Sequence, residues 1–266
     1  MKKILSLLAL CLALQSAAHD YYLLPDNFFV KAGMPFTCRL FVGDDFIEEL
    51  EERPVHKYIT TQFMGRWGDP STVVNLLPGT PDSTLPMFEK PLPKTGLALL
   101  SLNRNYAHIS FTPEKFQAYL DLERLNDVKA AIAKTPITTD SVREKYTRYL
   151  KSLVYVGSAF GEQYKEQIGQ TLEIILLQNP YTIKRGGNIT ARVFFRGKPL
   201  AGGSLEALCK DKKGKVIRKL LKTNATGEAQ FQLDHSGDWL VRITHMIKST
   251  DADADWESFW SASLLA

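Results

Sequence analysis

Apolar and polar residues alternate with period two along much of this 266-residue chain, the pattern of strands with one buried face. It is clearest over 239–245. There Trp239, Val241, Ile243 and His245 share one face, and Leu240, Arg242 and Thr244 share the other. The same reading places strands at 28–30, 35–42, 58–63, 72–76, 96–102 and 108–111. A second series falls at 172–176, 188–195, 204–210, 216–221, 229–233, 239–245 and 258–264. Five prolines between Pro78 and Pro93 make that stretch a surface connection, since proline cannot join a central ladder. Between the two series the period changes. Thr112-Pro113 reads as a cap followed by proline at the first helical position. Phe116, Tyr119, Leu120, Val128 and Ile132 then form a stripe with a break near Asn126. A second helix is expected from Ser141, with Ser141 and Glu144 as a capping box and Val142, Tyr146, Tyr149, Leu150 and Leu153 on one face.

These elements predict a mainly β protein: two immunoglobulin-like or transthyretin-like β-sandwiches joined by an α-helical hairpin. The expected boundaries are 19–111 for the first sandwich, 112–168 for the helical segment and 169–266 for the second. An internal repeat supports the pairing. Residues 23–42 and 176–195 align without gaps and share seven identities in twenty, including Lys31 with Lys184 and Gly33 with Gly186. A weaker echo matches the turn glycine Gly96 with Gly237, each leading into an apolar strand.

The N-terminus reads as a secretory leader. Lys2 and Lys3 precede an apolar run, Ile4 to Leu14, and Ser16-Ala17-Ala18 resembles a cleavage site. Cleavage there makes His19 the first residue and gives a periplasmic or secreted protein. No later stretch is long and apolar enough for a membrane span. Loss of two lysines lowers the net charge from +4 to +2, which gives no reason to expect nucleic acid as a partner. Cys38 and Cys209 remain, and the sequence leaves open whether they are bonded.

No nucleophile elbow, phosphate loop, paired-cysteine motif or calcium loop is present. Asp251, Asp253 and Asp255 read as a solvated acidic loop. A terminal histidine is a chelator in its own right: its α-amine and ring Nδ1 can hold one metal, and both lose protons readily.

The order of motifs carries a resemblance. After the His19-Asp20 start come Phe116-x-Ala118-Tyr119-Leu120, and then Lys145-Tyr146-x-Arg148-Tyr149-x-Lys151 with Val154, Val156 and Gly157. Asn179-Pro180-Tyr181 follows, and the chain closes with GDWLVRITHM ending in His245 and Met246, and Asp255-Trp256-Glu257-Ser258-x-Trp260. This pattern resembles a bacterial exported family, domain-of-unknown-function family 4198, often labelled nickel-uptake associated. The resemblance covers almost the whole chain after Ala18. It implies a periplasmic accessory protein that binds or passes on nickel or cobalt, with a membrane metal-uptake transporter as partner. The expected metal set is His19, His245, Met246, Asp255 and Glu257. Two alternatives stay open. One is a copper oxidoreductase built on a terminal-histidine brace with Tyr21 or Tyr22 beside it; the other is a metal-free interaction module.

Overall fold

The computed structural model describes residues 20–44, 46 and 48–266. The strands of the first part are β1 (Asp20–Pro25), β2 (Phe29–Val30), β3 (Thr37–Asp44), β4 (Glu48–Arg53), β5 (Thr60–Trp67), β6 (Thr72–Asn75), β7 (Phe88–Glu89), β8 (Gly96–Arg104) and β9 (Ala107–Phe111). Helices α1 (Pro113–Leu122) and α2 (Asn126–Lys134) follow, then β10 (Val142–Val156). The remainder is β11 (Leu172–Leu176), β12 (Asn188–Phe195), β13 (Lys198–Pro199), β14 (Ser204–Lys210), β15 (Val216–Lys222), β16 (Glu228–Gln232), β17 (Asp238–Lys248) and β18 (Trp256–Leu265).

The fold is mainly β and of sandwich type. A ten-stranded sheet runs β15-β14-β17-β18-β10-β8-β5-β6, with β2 and β9 also pairing β10. One outer sheet is β1-β3-β4 with β7 on β3, and the other is β11-β12-β13 with β16 on β12. Alternation along the central strands sends side chains to both sides. Ala98, Leu100, Leu102, Leu150, Leu240 and Leu264 pack under the first outer sheet. Trp239, Val241, Ile243, Leu205, Ala207 and Phe259 pack under the second. The outer sheets therefore lie on opposite faces of the central one. Cys38 and Cys209 are free thiols in these two separate cores.

The repeat appears in the backbone. Gly33 and Gly186 both take positive φ, +75° and +85°, a region that favours glycine. Their N–H groups donate to matching carbonyls, Leu92 at 2.9 Å and Leu233 at 2.7 Å. Gly96 and Gly237 then lead into β8 and β17. The strand order reads alike from both ends, and the halves meet where β10 and β18 run parallel, Glu144 beside Trp256 through Ser152 beside Leu264.

Two expectations fail. The stretch 78–93 is not a surface connection throughout, because β7 pairs β3 and Met87, Phe88 and Leu92 are buried in the first core. Residues 141–153 are not a helix, so the interval 112–168 is α-helical only within 113–134, with one 3-10 turn at Gln163–Lys165, and β10 is a fifteen-residue strand at the middle of the sheet. Its apolar residues fall at both parities because both of its faces are covered, and that run imitates a helical stripe. Glu144 caps nothing; it accepts from Tyr119 Oη at 3.2 Å and from Ser258 Oγ. The expected break near Asn126 is present, and Thr112 caps α1 by accepting from Lys115 N–H.

Candidate functional site

His19 lies outside the described residues. Of the other four residues of the expected metal set, His245 and Glu257 share one face of the β17–β18 pair as diagonal neighbours, and Met246 takes the other face. His245 projects toward the second outer sheet, its ring edge-on to Phe195 at 4.5 Å. Burial lowers its pKa, which favours the neutral ring. Met246 projects the opposite way, because β17 continues as a regular ladder to Lys248 beside Trp256. It is buried with Phe116, Trp256 and Trp260 and lines a cleft of about 520 Å³ with Val128 and Ile132. Asp255 is held by Arg143, whose backbone N–H donates at 2.8 Å and guanidinium at 3.0 Å. Glu257 accepts from Tyr106 Oη at 2.7 Å and lies 3.4 Å from Lys145. Two residues of the acidic loop are also paired, Asp251 with Lys145 and Asp253 with His108 at 3.1 Å. Among the described residues, no group of three or more His, Cys, Asp or Glu is placed to hold a metal ion.

The structure instead draws attention to a polar layer between the central sheet, β1 and the end of α1. Arg242 projects from β17 on the face away from His245. Its guanidinium contacts Asp20 of β1 and donates to Glu123, the residue closing α1, at 2.7 Å. Thr244 Oγ1 also donates to Glu123, at 2.7 Å. Glu206 of β14 lies 3.8 Å from Arg242 and is paired with Arg124 and Arg218 as well. Asp20 and Glu123 are each only 5% exposed. Burial pulls the Arg242 pKa down, and the two carboxylates more than reverse it. Burial raises the Glu123 pKa, against the pull of Arg242. Farther along the layer, burial pushes Glu144 up to about 7, and its Oε2 has no partner. Trp260 stacks on Tyr119 at 6.0 Å and closes the layer from above.

Beside it Tyr21 carries two guanidinium groups on its ring, Arg104 at 4.4 Å and Arg148 at 4.5 Å. Tyr22 is buried, with its hydroxyl 3.0 Å from the Gly43 carbonyl and 3.3 Å from Asp20.

Sequence reasoning passed over Arg242 and Glu123. The available signal was a lone arginine inside an otherwise apolar strand, which needs a buried acid. The acid came from a helix end distant in sequence, and no periodicity reports that.

Extending the repeat alignment back three residues from Leu23 and Leu176 puts Asp20 over Glu173. Glu173 is likewise buried, at 0% exposure, and is paired with a buried cation, Lys151 of β10, at 2.6 Å. Both acids therefore stand at the start of an outer sheet and reach a cation on the central sheet.

No helix among the described residues is long and apolar enough to cross a membrane. A search of curated proteins returns no match. Residues 16–247, nearly the whole of the described fold, match the family described as domain of unknown function DUF4198, and the chain belongs to that family.

Proposed function

We propose that the protein is an exported accessory protein of transition-metal uptake, with nickel or cobalt as cargo, and that its metal is held at the amino terminus left by cleavage after Ala18. The observation that carries this reading is the placement of Asp20. The residue following His19 is buried and ion-paired to Arg242, so a terminal chelate would start from an anchored strand and not from a frayed tail. His19 would supply amine and imidazole nitrogens, which suit nickel, cobalt, copper or zinc. His245 and Met246 diverge from each other, and Asp255 and Glu257 are engaged by Arg143, Lys145 and Tyr106, so these four enter as structural residues.

Calorimetric titration of nickel, cobalt and copper into protein beginning at His19, and into protein retaining Ala18, tests the reading. Tight binding is expected only in the first, and His245→Ala should leave it unchanged. Equal affinity in both proteins would remove the terminal site. Copper binding with redox turnover would favour the oxidoreductase alternative.

A further inference from the structure

We infer that the cleft between α2 and the adjoining ends of β17 and β18 binds a small amphiphilic carboxylate, one short acyl chain carrying a single negative charge. Neither the amino terminus nor the polar layer contributes to it. Helix α2 does not close on the sheet beneath it. Val128 is its one buried residue. Ala131 and Ile132 line instead the cleft of about 520 Å³ whose floor is Met246 and Trp256. A space of that size suits one small ligand. Asp127 and Thr135, the outermost α2 residues on its wall, are eight positions apart, about 12 Å along the helix axis. The space is therefore an elongated apolar trough.

Its polar groups are two donors without an acceptor. Trp256 is only 7% exposed. A buried indole N–H ordinarily finds a partner, and Trp260, farther along the same face of β18, gives its own to Ser258 Oγ at 3.1 Å. Trp256 contacts the Phe116 ring and lies under the Lys248 ammonium, 4.8 Å from its ring centre, and its N–H has no acceptor among the described residues. Lys248 is exposed, and no described carboxylate lies within ion-pair distance of it. Its charge acts on Asp255, which Arg143 already holds.

The one acid of the cleft stands apart from this pair. Asp127 occupies the first turn of α2, where no side chain caps the helix and a negative charge is favoured. Its charge is felt at His245, three residues before Lys248 on β17. An ammonium and an N–H thus meet beside an apolar trough, close enough for one carboxylate to accept from both. One cation and one neutral donor match a single negative charge, which selects a carboxylate over a phosphate dianion. A trough of this size takes one chain, which selects a free acid over a two-chain membrane lipid.

Calorimetric titration with decanoate and with decanol, the same chain with and without the charge, tests the inference. Decanol is the more apolar, so a cleft that is merely hydrophobic would prefer it. Decanoate should bind at least about tenfold more tightly, the worth of one hydrogen bond to a charged group. Lys248→Ala should remove that advantage and leave decanol binding unchanged. Ala131→Phe should fill the trough and abolish both. Both substitutions fall at exposed positions, so the fold should tolerate them. In proton NMR spectra the Trp256 indole N–H, identified by its loss in Trp256→Phe, should move downfield with decanoate. The indole signals of Trp239 and Trp260 already have acceptors and should stay in place. Equal or tighter binding of decanol, an unmoved Trp256 signal, or binding indifferent to Ala131→Phe would overturn the inference. So would a concentration-dependent dimer that Ala131→Phe dissolves and decanoate does not, because the cleft would then belong to a second copy of the chain.

Discussion

Asp20 and Glu173 hold matching places in the two halves, yet their surroundings differ. Glu173 sits in a closed set of donors, Lys151 of β10 and the N–H groups of Ile168 and Gly169 just before its own strand. Asp20 shares its arginine with Glu123, a residue brought in by the connection between β8 and β10. The second half has no such insertion: β17 and β18 are joined by a short acidic loop. The halves therefore agree in their sandwiches and part company where α1 and α2 lie across β17 and β18. Duplicated sandwiches supply a frame, and the unduplicated helices bring acids onto it.

The largest expected effects test the agreement. Phe63→Ala in one half and Trp239→Ala in the other should each cost about 3–5 kcal/mol, because both side chains are fully packed. Both losses should appear in a single urea transition, since β10 and β18 make the sheet continuous. Two separate transitions would show that the halves fold independently.

Next in size comes the polar layer. Arg242→Met strands two buried acids and should cost about 3 kcal/mol at pH 7. Burial already raises the Glu123 pKa, so this variant relieves itself by taking up protons. Its deficit in urea unfolding should shrink as pH falls toward 4, whereas the Trp239→Ala deficit should not. A pH-independent Arg242→Met deficit would mean that the carboxylates are not the stranded groups.

Glu144→Gln should act in the opposite direction. The Glu144 pKa is raised by burial to about 7. Its contribution is fully present below about pH 4.3, the unfolded value, and is lost as pH rises through the folded one. The variant should thus gain about 1–2 kcal/mol over wild type at pH 8 and nothing at pH 4. Thermal melts across that window check it.

The smallest effects should be at the cysteines. Cys38 and Cys209 are buried, and burial pushes the Cys209 thiol up to about 12. A disulfide-exchange reagent should label neither in folded protein and both after denaturation. Prompt labelling of one would identify the half that opens first.

The frame was legible in the sequence because one-faced strands alternate. Strand β17 was read from Trp239, Val241 and Ile243, and the repeat pointed to two equivalent hairpins. Their registers are not identical: Leu23 faces Leu40, while Leu176 faces Ala191, two positions off the aligned residue. Strand β10 was misread because being covered on both faces erases alternation. Its polar residues are buried against partners far along the chain: Glu144 with Ser258, and Lys151 with Glu173. The acidic loop is solvated at Asp251 and Asp253, as read, whereas Asp255 reaches Arg143 across the parallel pairing. Such contacts depend on which strands become neighbours, and one-dimensional periodicity does not contain that information.

The parallel contact of β10 with β18 also sets a timetable. A hairpin can close as soon as its second strand exists, but this contact joins the middle of the chain to the last described strand. A polypeptide made from its N-terminus must hold one edge of β10 open until residues 256–265 arrive. Contacts this distant in sequence close slowly. One central strand therefore lacks its long parallel partner until the last described strand has been made, and the two halves gain that shared seam together.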